Sequence, residues 1–575
     1  MLDLLLRGGT VVDGTGAARR VADVGVRDGR VVDVGPTDEP AARTVDVTGL
    51  VVAPGFVDIH THYDAQLFWD PTASPSPLHG VTTAIGGNCG FSLAPAGAAH
   101  ADYLMRMMAR VEGMPLAALE AGLPWDWGSF ADWLSRLDDG IGINAGFLCG
   151  HSALRRVVMG DDAVGAAASE AQVQAMVTSL HDALAAGALG FSTSTAPTHN
   201  DGAQQPVPSR AAARDELVAL AEAVRDHPGT TLEVILAGCL NGFTDDEVDL
   251  MTTMSLSANR PINWNVLGVN SLNPDAHWRQ LEASTRAAER GARVVALTLP
   301  HASGVRLSFL SGFVLDGLPG WRETMALPVD QRIRALSDPE VRARLAAGAS
   351  SEEAGVLRGL ANWSNLRIDE VRVDANRRYE GRMVGEIAAE RGEDPFDVVL
   401  DIAIADGLAT GLRPVFREDP KAWDLKVEVW RDPRTIVGGS DAGAHLDMMC
   451  GAVYSTAMLA GVREKGGISL EEAVQLLTDA PARFYGLRDR GRVQPGWRAD
   501  LVVFDPDTIG HGPERTREDL PGGAWRLYAE STGVERVYVN GVDVVDGGRI
   551  TGATPGTLLR SGRDTETVTV PGGGA

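Results

Sequence analysis

A chain of 575 residues with 77 acidic and 52 basic side chains carries a net charge of −25, which repels polyanions, so neither nucleic acid nor an anionic membrane is an expected partner. Its 44% hydrophobic and 22% charged residues are those of a globular protein with room for one large catalytic domain and a smaller one. The opening MLDLLLRGGTVVDG lacks the basic stretch and apolar run of a secretion signal, and no run of about 18 apolar residues exists to span a membrane. Cys89, Cys149, Cys239 and Cys450 are too few for a disulfide framework, so free thiols and a cytoplasmic setting are expected.

Residues 1–54 read as short Val-rich strands broken by Gly and Asp turns. Apolar runs then alternate with Ala-, Leu- and Arg-rich helical stretches. The runs are FVDIH from 56, VTTAIGG from 81, NAGFLCG from 144, ALGFST from 188, TTLEVIL from 230, PINWNVLG from 261, RVVALTL from 293 and TIVGGSD from 435. Such alternation predicts a parallel α/β fold, and eight strands fit a closed (β/α)8 TIM-like barrel over residues 55–489 better than an open sheet. Residues 92–140, with PWDWGSFADWLSRL, predict a helical excursion packed by Trp125 and Trp127. Residues 302–434 are too long for a loop and predict a helical insertion over one face. Residues 490–550 return to β texture, with a hairpin turn at Asn540-Gly541. With residues 1–54 they are expected to build a small β-sandwich domain from both chain ends. Residues 551–575, ending TVTVPGGGA, are expected to be a frayed tail.

The first strand ends in GFVDIHTHYDAQ. Alternate residues of a strand share a face, so His60 and His62 can reach together into a barrel, and paired imidazoles suit a borderline cation such as Zn²⁺. Barrel enzymes work at the C-terminal ends of their strands. On that rim also fall His151 after the third strand, His199 after the fourth, His301 at the end of the seventh and His445 after the eighth. Asp441 in VGGSDAGAH ends the eighth strand, where it can ligate a metal and take a proton from water; a helix N-cap is the alternative role. Cys89 in GGNCGFS ends the second, as a thiolate ligand or a small buried apolar residue.

These motifs resemble the metal-dependent amidohydrolase superfamily. PGFVDIHTHYD is similar to its first-strand signature, GSDAGAH to its eighth-strand aspartate and GRVQPGWRADLVVFD with VYVNGVDVVDGG to its C-terminal β-domain. HGVTTAIGGNCGFSLAP, PWDWGSFADWLSRL, GHSALRRVVMG and DAPARFYGLRDRGRVQPG resemble most closely the N-acyl-D-amino-acid deacylases, or D-aminoacylases, over most of the chain. The resemblance implies zinc and hydrolysis of an amide between an acyl group and an amine, with Cys89 in a bridging role. A carboxylated lysine is excluded, because the only lysines are Lys421, Lys426 and Lys465, far from the fourth strand.

The family places histidines at the ends of the fifth and sixth strands, where this chain has Glu233 and Asn263 or Asn265. One zinc ion per subunit is therefore expected, held by His60, His62 and Asp441 with Cys89 or Glu233. Asp441 is the expected general base for metal-activated water. His151, His199 or His301 are candidates for the oxyanion, Arg155 (or Arg156) for a substrate carboxylate, and Asn265 and His445 for other substrate contacts. The expected partner is a small N-acyl-amino acid or cyclic amide, and a homo-oligomer stays open. Acyl transfer or ester and lactone hydrolysis on the same barrel is one alternative. A metal-free, non-catalytic binding protein is another.

Overall fold

Each of the eight apolar runs becomes a strand. In the computed structural model, which describes residues 1–573 apart from 139, 302–303, 313 and 416–418, they are β1 (Phe56–Asp58), β2 (Val81–Gly86), β3 (Asn144–Phe147, continued by Cys149–Gly150), β4 (Gly190–Ser194), β5 (Thr231–Ile235), β6 (Ile262–Leu267), β7 (Val294–Thr298) and β8 (Thr435–Val437). Neighbours in sequence pair in parallel, with helices between them, as buried Val- and Ile-rich strands require.

The closed barrel ladder expected from the sequence is not what the hydrogen bonds form. β1, β2 and the first half of β3 make a three-stranded sheet; the end of β3 with β4 to β8 makes a six-stranded one. β1 and β8 are three residues long, so their regular pairing stops before they meet. The chain just beyond them bridges the gap through a single parallel pair, Thr61 with Ala442, flanked by His62 N donating to Ala442 O at 2.7 Å and Asp441 N to His60 O at 3.1 Å.

Both chain ends join in one sheet, as expected, although the anticipated sandwich is a single nine-stranded hydrogen-bonded sheet. Residues 501–504 are its seam, antiparallel to 51–54 on one side and to 534–539 on the other. Its alternation is read out in packing. Leu501 and Val503 join Leu4, Leu6, Val24 and Tyr538 in one core, while Val502 and Phe504 point into the main core of the molecule.

The 302–434 insertion has its own core around Phe309, Trp321, Phe396 and Leu412. It carries several helices and a two-stranded antiparallel pairing of Leu366–Glu370 with Gly411–Pro414. The 92–140 excursion carries helix α1 (Ala101–Val111), whose Leu104, Met107, Met108 and Val111 are buried. Trp125 and Trp127 pack together with ring centroids 5.0 Å apart and planes tilted by 34°.

The C-terminal segment is a strap, not a frayed tail. Leu559 N donates to Ala145 O at 2.7 Å, Thr565 Oγ1 to Gly229 O at 2.6 Å and Val570 N to Asn259 Oδ1 at 3.1 Å, and Leu558, Leu559 and Val570 are buried. A segment with no helical or strand period satisfies its backbone on strand and loop edges elsewhere, which its sequence does not advertise. Among the described residues no helix is long and apolar enough to cross a membrane.

Candidate metal centre

His60 and His62 lie just past β1, gripped between the ends of β2 and β8. Thr61, between them, donates from N and Oγ1 to Ile85 O at 3.0 and 2.9 Å. Its side chain thus faces β2 while both imidazoles face the other way, as alternation requires. Beneath them Asp58 Oδ1 accepts from Ser440 N at 3.1 Å and from His60 N at 3.4 Å, tying the first strand to the eighth. Burial pushes the Asp58 carboxyl up to about 7 despite those contacts.

Asp441 is reached through a tight, glycine-lined loop. A Cβ on Gly443, at φ +92°, would stand 2.4 Å from His62 O, so the loop approaches β1 as closely as it does only because that atom is missing. Cys89, Asp441 and His445 adopt left-handed φ values of 57°, 59° and 48°. Three L-residues in that region, at about 1 kcal/mol each, are held there by their surroundings.

The side chains converge. Asp441 Oδ1 lies 3.2 Å from His62 Nε2 and 3.8 Å from His60 Nε2; Cys89 Sγ lies 3.5 Å from His60 Nε2; His445 Nε2 is 3.7 Å from Asp441 Oδ2. Glu112, which the sequence motifs do not single out, brings Oε2 to 3.5 Å from His62 Nε2. Two overlapping sets, His60–His62–Cys89 and His62–Glu112–Asp441, each have their donor atoms within 4.8 Å of one another. They line a cavity of about 160 Å³ together with His199, Asn265 and an apolar wall of Val111, Ile235, Val266, Leu297 and Leu299.

Electrostatics separate the roles of these groups. Burial alone would raise the Asp441 carboxyl, but the hydrogen bond to His62 and the nearby His445 and His60 hold it well below the usual carboxylate range. His60 is pushed down to about 4 by burial, despite Asp441. For His62 burial works downward too, yet Glu112 and Asp441 outweigh it and lift the ring to about 9. Burial, then Glu233 and Glu112, push the Cys89 thiol up. The two sets share His62, and their imidazole, thiol and carboxylate donors are of the kinds that fit a zinc-like cation, which would offset their crowded negative charge.

The other expected residues divide. His199 lines the cavity, with Nδ1 facing Ser194 Oγ at 2.8 Å, and burial pushes its ring down to about 3. Asn265 and His445 line it as well. Glu233 sits beside the donors but in neither converging set. Its Oε2 accepts from Cys89 N at 2.9 Å and its Oε1 from Asn265 Nδ2, and burial pushes its carboxyl up to about 8, so it props the cysteine loop.

His151 and Arg155 face away from the cavity. His151 Nε2 meets Glu216 Oε1 at 2.8 Å and its Nδ1 meets Thr193 Oγ1 at 2.8 Å, while Arg155 engages both Glu216 oxygens. The cause is local: helix His151–Met159 starts immediately after β3, and its buried face turns toward Glu216 on helix Arg214–Arg225. His301 is also elsewhere, in a surface cleft with Arg413 and Glu514, its ring 6.0 Å from that of His511. A loop after a strand can carry a side chain past the rim as easily as into it.

Glu112 and Asp58 are the site residues that sequence reasoning passes over. For Asp58 the signal is an acid two residues before the first histidine on a buried strand. For Glu112 it is a carboxylate directly after an apolar helical face, at the end of the helix whose dipole disfavours negative charge.

Residues 43–545 match the amidohydrolase family, and the chain belongs to that family. It is 30% identical over 578 residues to a D-aminoacylase of Alcaligenes xylosoxydans xylosoxydans, covering 97% of both chains. A D-aminoacylase structure studied for its binuclear metal centre superposes with a TM-score of 0.64 at 28% identity, covering 97% of this chain and 100% of the other. An N-acyl-D-glutamate deacylase from Bordetella bronchiseptica, complexed with zinc and a phosphonate inhibitor, superposes with a TM-score of 0.61 at 27% identity over 97% and 100% of the two chains. The protein is thus a D-aminoacylase-like amidohydrolase, an enzyme acting on carbon–nitrogen bonds other than peptide bonds.

Proposed function

We propose that this enzyme hydrolyses the amide bond of an N-acyl-D-amino acid using one zinc ion, held by His60, His62 and Asp441, with Cys89 beside it. One observation carries the reading: in one cavity Asp441 Oδ1, from just past β8, lies 3.2 Å from His62 Nε2 and 3.8 Å from His60 Nε2, both from just past β1. The D-series preference rests on the relatives named above. We take the two parallel ladders as arcs of one eight-stranded barrel, with the cavity at its C-terminal mouth.

When bound there, zinc supplies Lewis acidity toward the scissile carbonyl and toward water. Asp441, held ionised, accepts the proton of the attacking water at a carboxylate oxygen and returns it to the departing nitrogen, so the C–N bond breaks with a neutral amine leaving. His199 has Nδ1 occupied by Ser194 and offers Nε2 to the developing oxyanion. Leu297, Leu299, Ile235 and Val266 exclude water and seat an apolar part of the substrate.

The test pairs activity with metal content. Metal-loaded protein is assayed against N-acetyl-D- and N-acetyl-L-amino acids, simple esters and cyclic amides, before and after chelation. We expect turnover of D-amides that chelation abolishes. Asp441→Asn is expected to keep its fold and to lose about 10²–10⁴-fold in kcat. Near-parental turnover by Asp441→Asn, or an activity indifferent to chelation, refutes the reading; ester turnover with inert amides favours ester or lactone hydrolysis.

A further inference from the structure

We propose that Glu112 is itself a ligand of the metal, so that the excursion carrying α1, rather than a strand of the parallel sheets, completes the coordination sphere. This rests on the reading that the cavity holds a divalent cation.

The first support is spacing. Bonds of about 2.0–2.1 Å at tetrahedral angles put neighbouring ligand atoms about 3.3 Å apart. His62 Nε2 stands 3.2 Å from Asp441 Oδ1 and 3.5 Å from Glu112 Oε2, separations suited to atoms arranged around one small ion. The second support is charge. Glu112 is 3% exposed, follows the C-terminal end of α1, and faces another carboxylate, Asp441, as well as His62 and His445. A buried carboxylate at the negative end of a helix and beside a second carboxylate is costly unless a cation answers it.

The third is the way the backbone is secured. Glu112 O accepts from His445 N, and Gly113, at φ +57°, lies so close that a Cβ there would be 3.1 Å from His445 Cα. The carboxylate is thus clamped to the loop that carries Asp441. The fourth is what the opposite wall offers. β5 and β6 present Ile235, Val266 and the uncharged amide of Asn265 to the cavity, so the carboxylates that line it are Asp441 and Glu112.

Chelator-stripped full-length protein is titrated with Zn²⁺ against a competing chromophoric chelator, and with Co²⁺ while its visible spectrum is recorded. The parent, Glu112→Gln, Glu112→Asp and His62→Ala are compared. We expect Glu112→Gln to weaken zinc binding about 10–100-fold and to change the cobalt spectrum. Glu112→Asp, one methylene short, should fall between the two. Parental zinc affinity and cobalt spectrum in Glu112→Gln, with zinc lost in His62→Ala, overturn this inference while leaving the metal reading standing. No zinc binding by the parent overturns both. If Glu112→Gln does not fold, parental affinity in Glu112→Asp overturns the inference.

Discussion

At the residue scale, position on the rim and direction of the side chain are separate properties. His60 and His62 are legible because period-two alternation ties their directions together, and Thr61 fixes which way they face. Cys89 and Asp441 are legible because each directly follows a strand-like apolar run, on the rim where barrel enzymes work. His151 and Arg155 are legible as rim residues only; their partner Glu216 belongs to a helix that no local pattern connects with them. This yields a discriminating prediction. Arg155→Met leaves Glu216 and His151 buried without their full partner set and should cost about 3–5 kcal/mol in denaturant unfolding. The KM of the correctly folded fraction should stay at the parental value, whereas a substrate-binding arginine would show a large rise in KM. The His60→Ala, His62→Ala double variant should retain the fold and lose stoichiometric zinc, measured by elemental analysis after gel filtration.

At the scale of elements, the site is built from the chain just beyond the strand ends. β1 and β8 stop after three residues each, and the segments past them, joined to each other by the single Thr61–Ala442 pair and its flanking hydrogen bonds, carry His60, His62 and Asp441. The loop after β8 depends on Gly443, whose replacement by alanine puts a methyl group against His62 O in a backbone region alanine rarely adopts. Gly443→Ala should therefore keep native far-ultraviolet circular dichroism and weaken zinc affinity by at least about tenfold through displacement of Asp441. Helix ends behave more simply. Thr244 caps helix Asp245–Ala258 in a capping box with Glu247, and Thr244→Ala should cost about 1 kcal/mol without touching activity. The helix α1 shows the limit of element-level reading: its apolar face is plain in the sequence, but the surface it docks against is not, so Glu112 gives no sign of meeting His62.

At the scale of the whole molecule, two long-range ties hold the functional assembly. His79 sits between the parallel strands and the C-terminal part, with Nδ1 2.7 Å from Thr456 Oγ1 and Nε2 3.1 Å from Ala529 O, and burial pushes it down to about 4. The unfolded chain binds a proton at this ring near pH 6.5 and the folded one only near pH 4. Stability is therefore complete above about pH 6.5 and falls as the pH drops toward 4, by up to roughly 3 kcal/mol from this residue. His79→Gln should flatten that part of the curve relative to the parent in unfolding measurements across the window. The second tie is the strap after residue 550. Removing residues 551–575 takes away the buried Leu558, Leu559 and Val570 and should cost on the order of 5 kcal/mol, visible as a lowered unfolding midpoint. The sequence by itself determined the eight strands and their order, the joining of both chain ends in β structure, and the place of His60, His62, Cys89 and Asp441 just past strand ends, since these follow from local periodicity and turn chemistry. Only the tertiary structure decided that the ladder parts where β1 and β8 run short, that the tail is a strap, that His151, Arg155 and His301 turn away, and that Glu112 turns in. Each of those depends on packing between segments distant along the chain, where the free energy lies in contacts that no local pattern encodes.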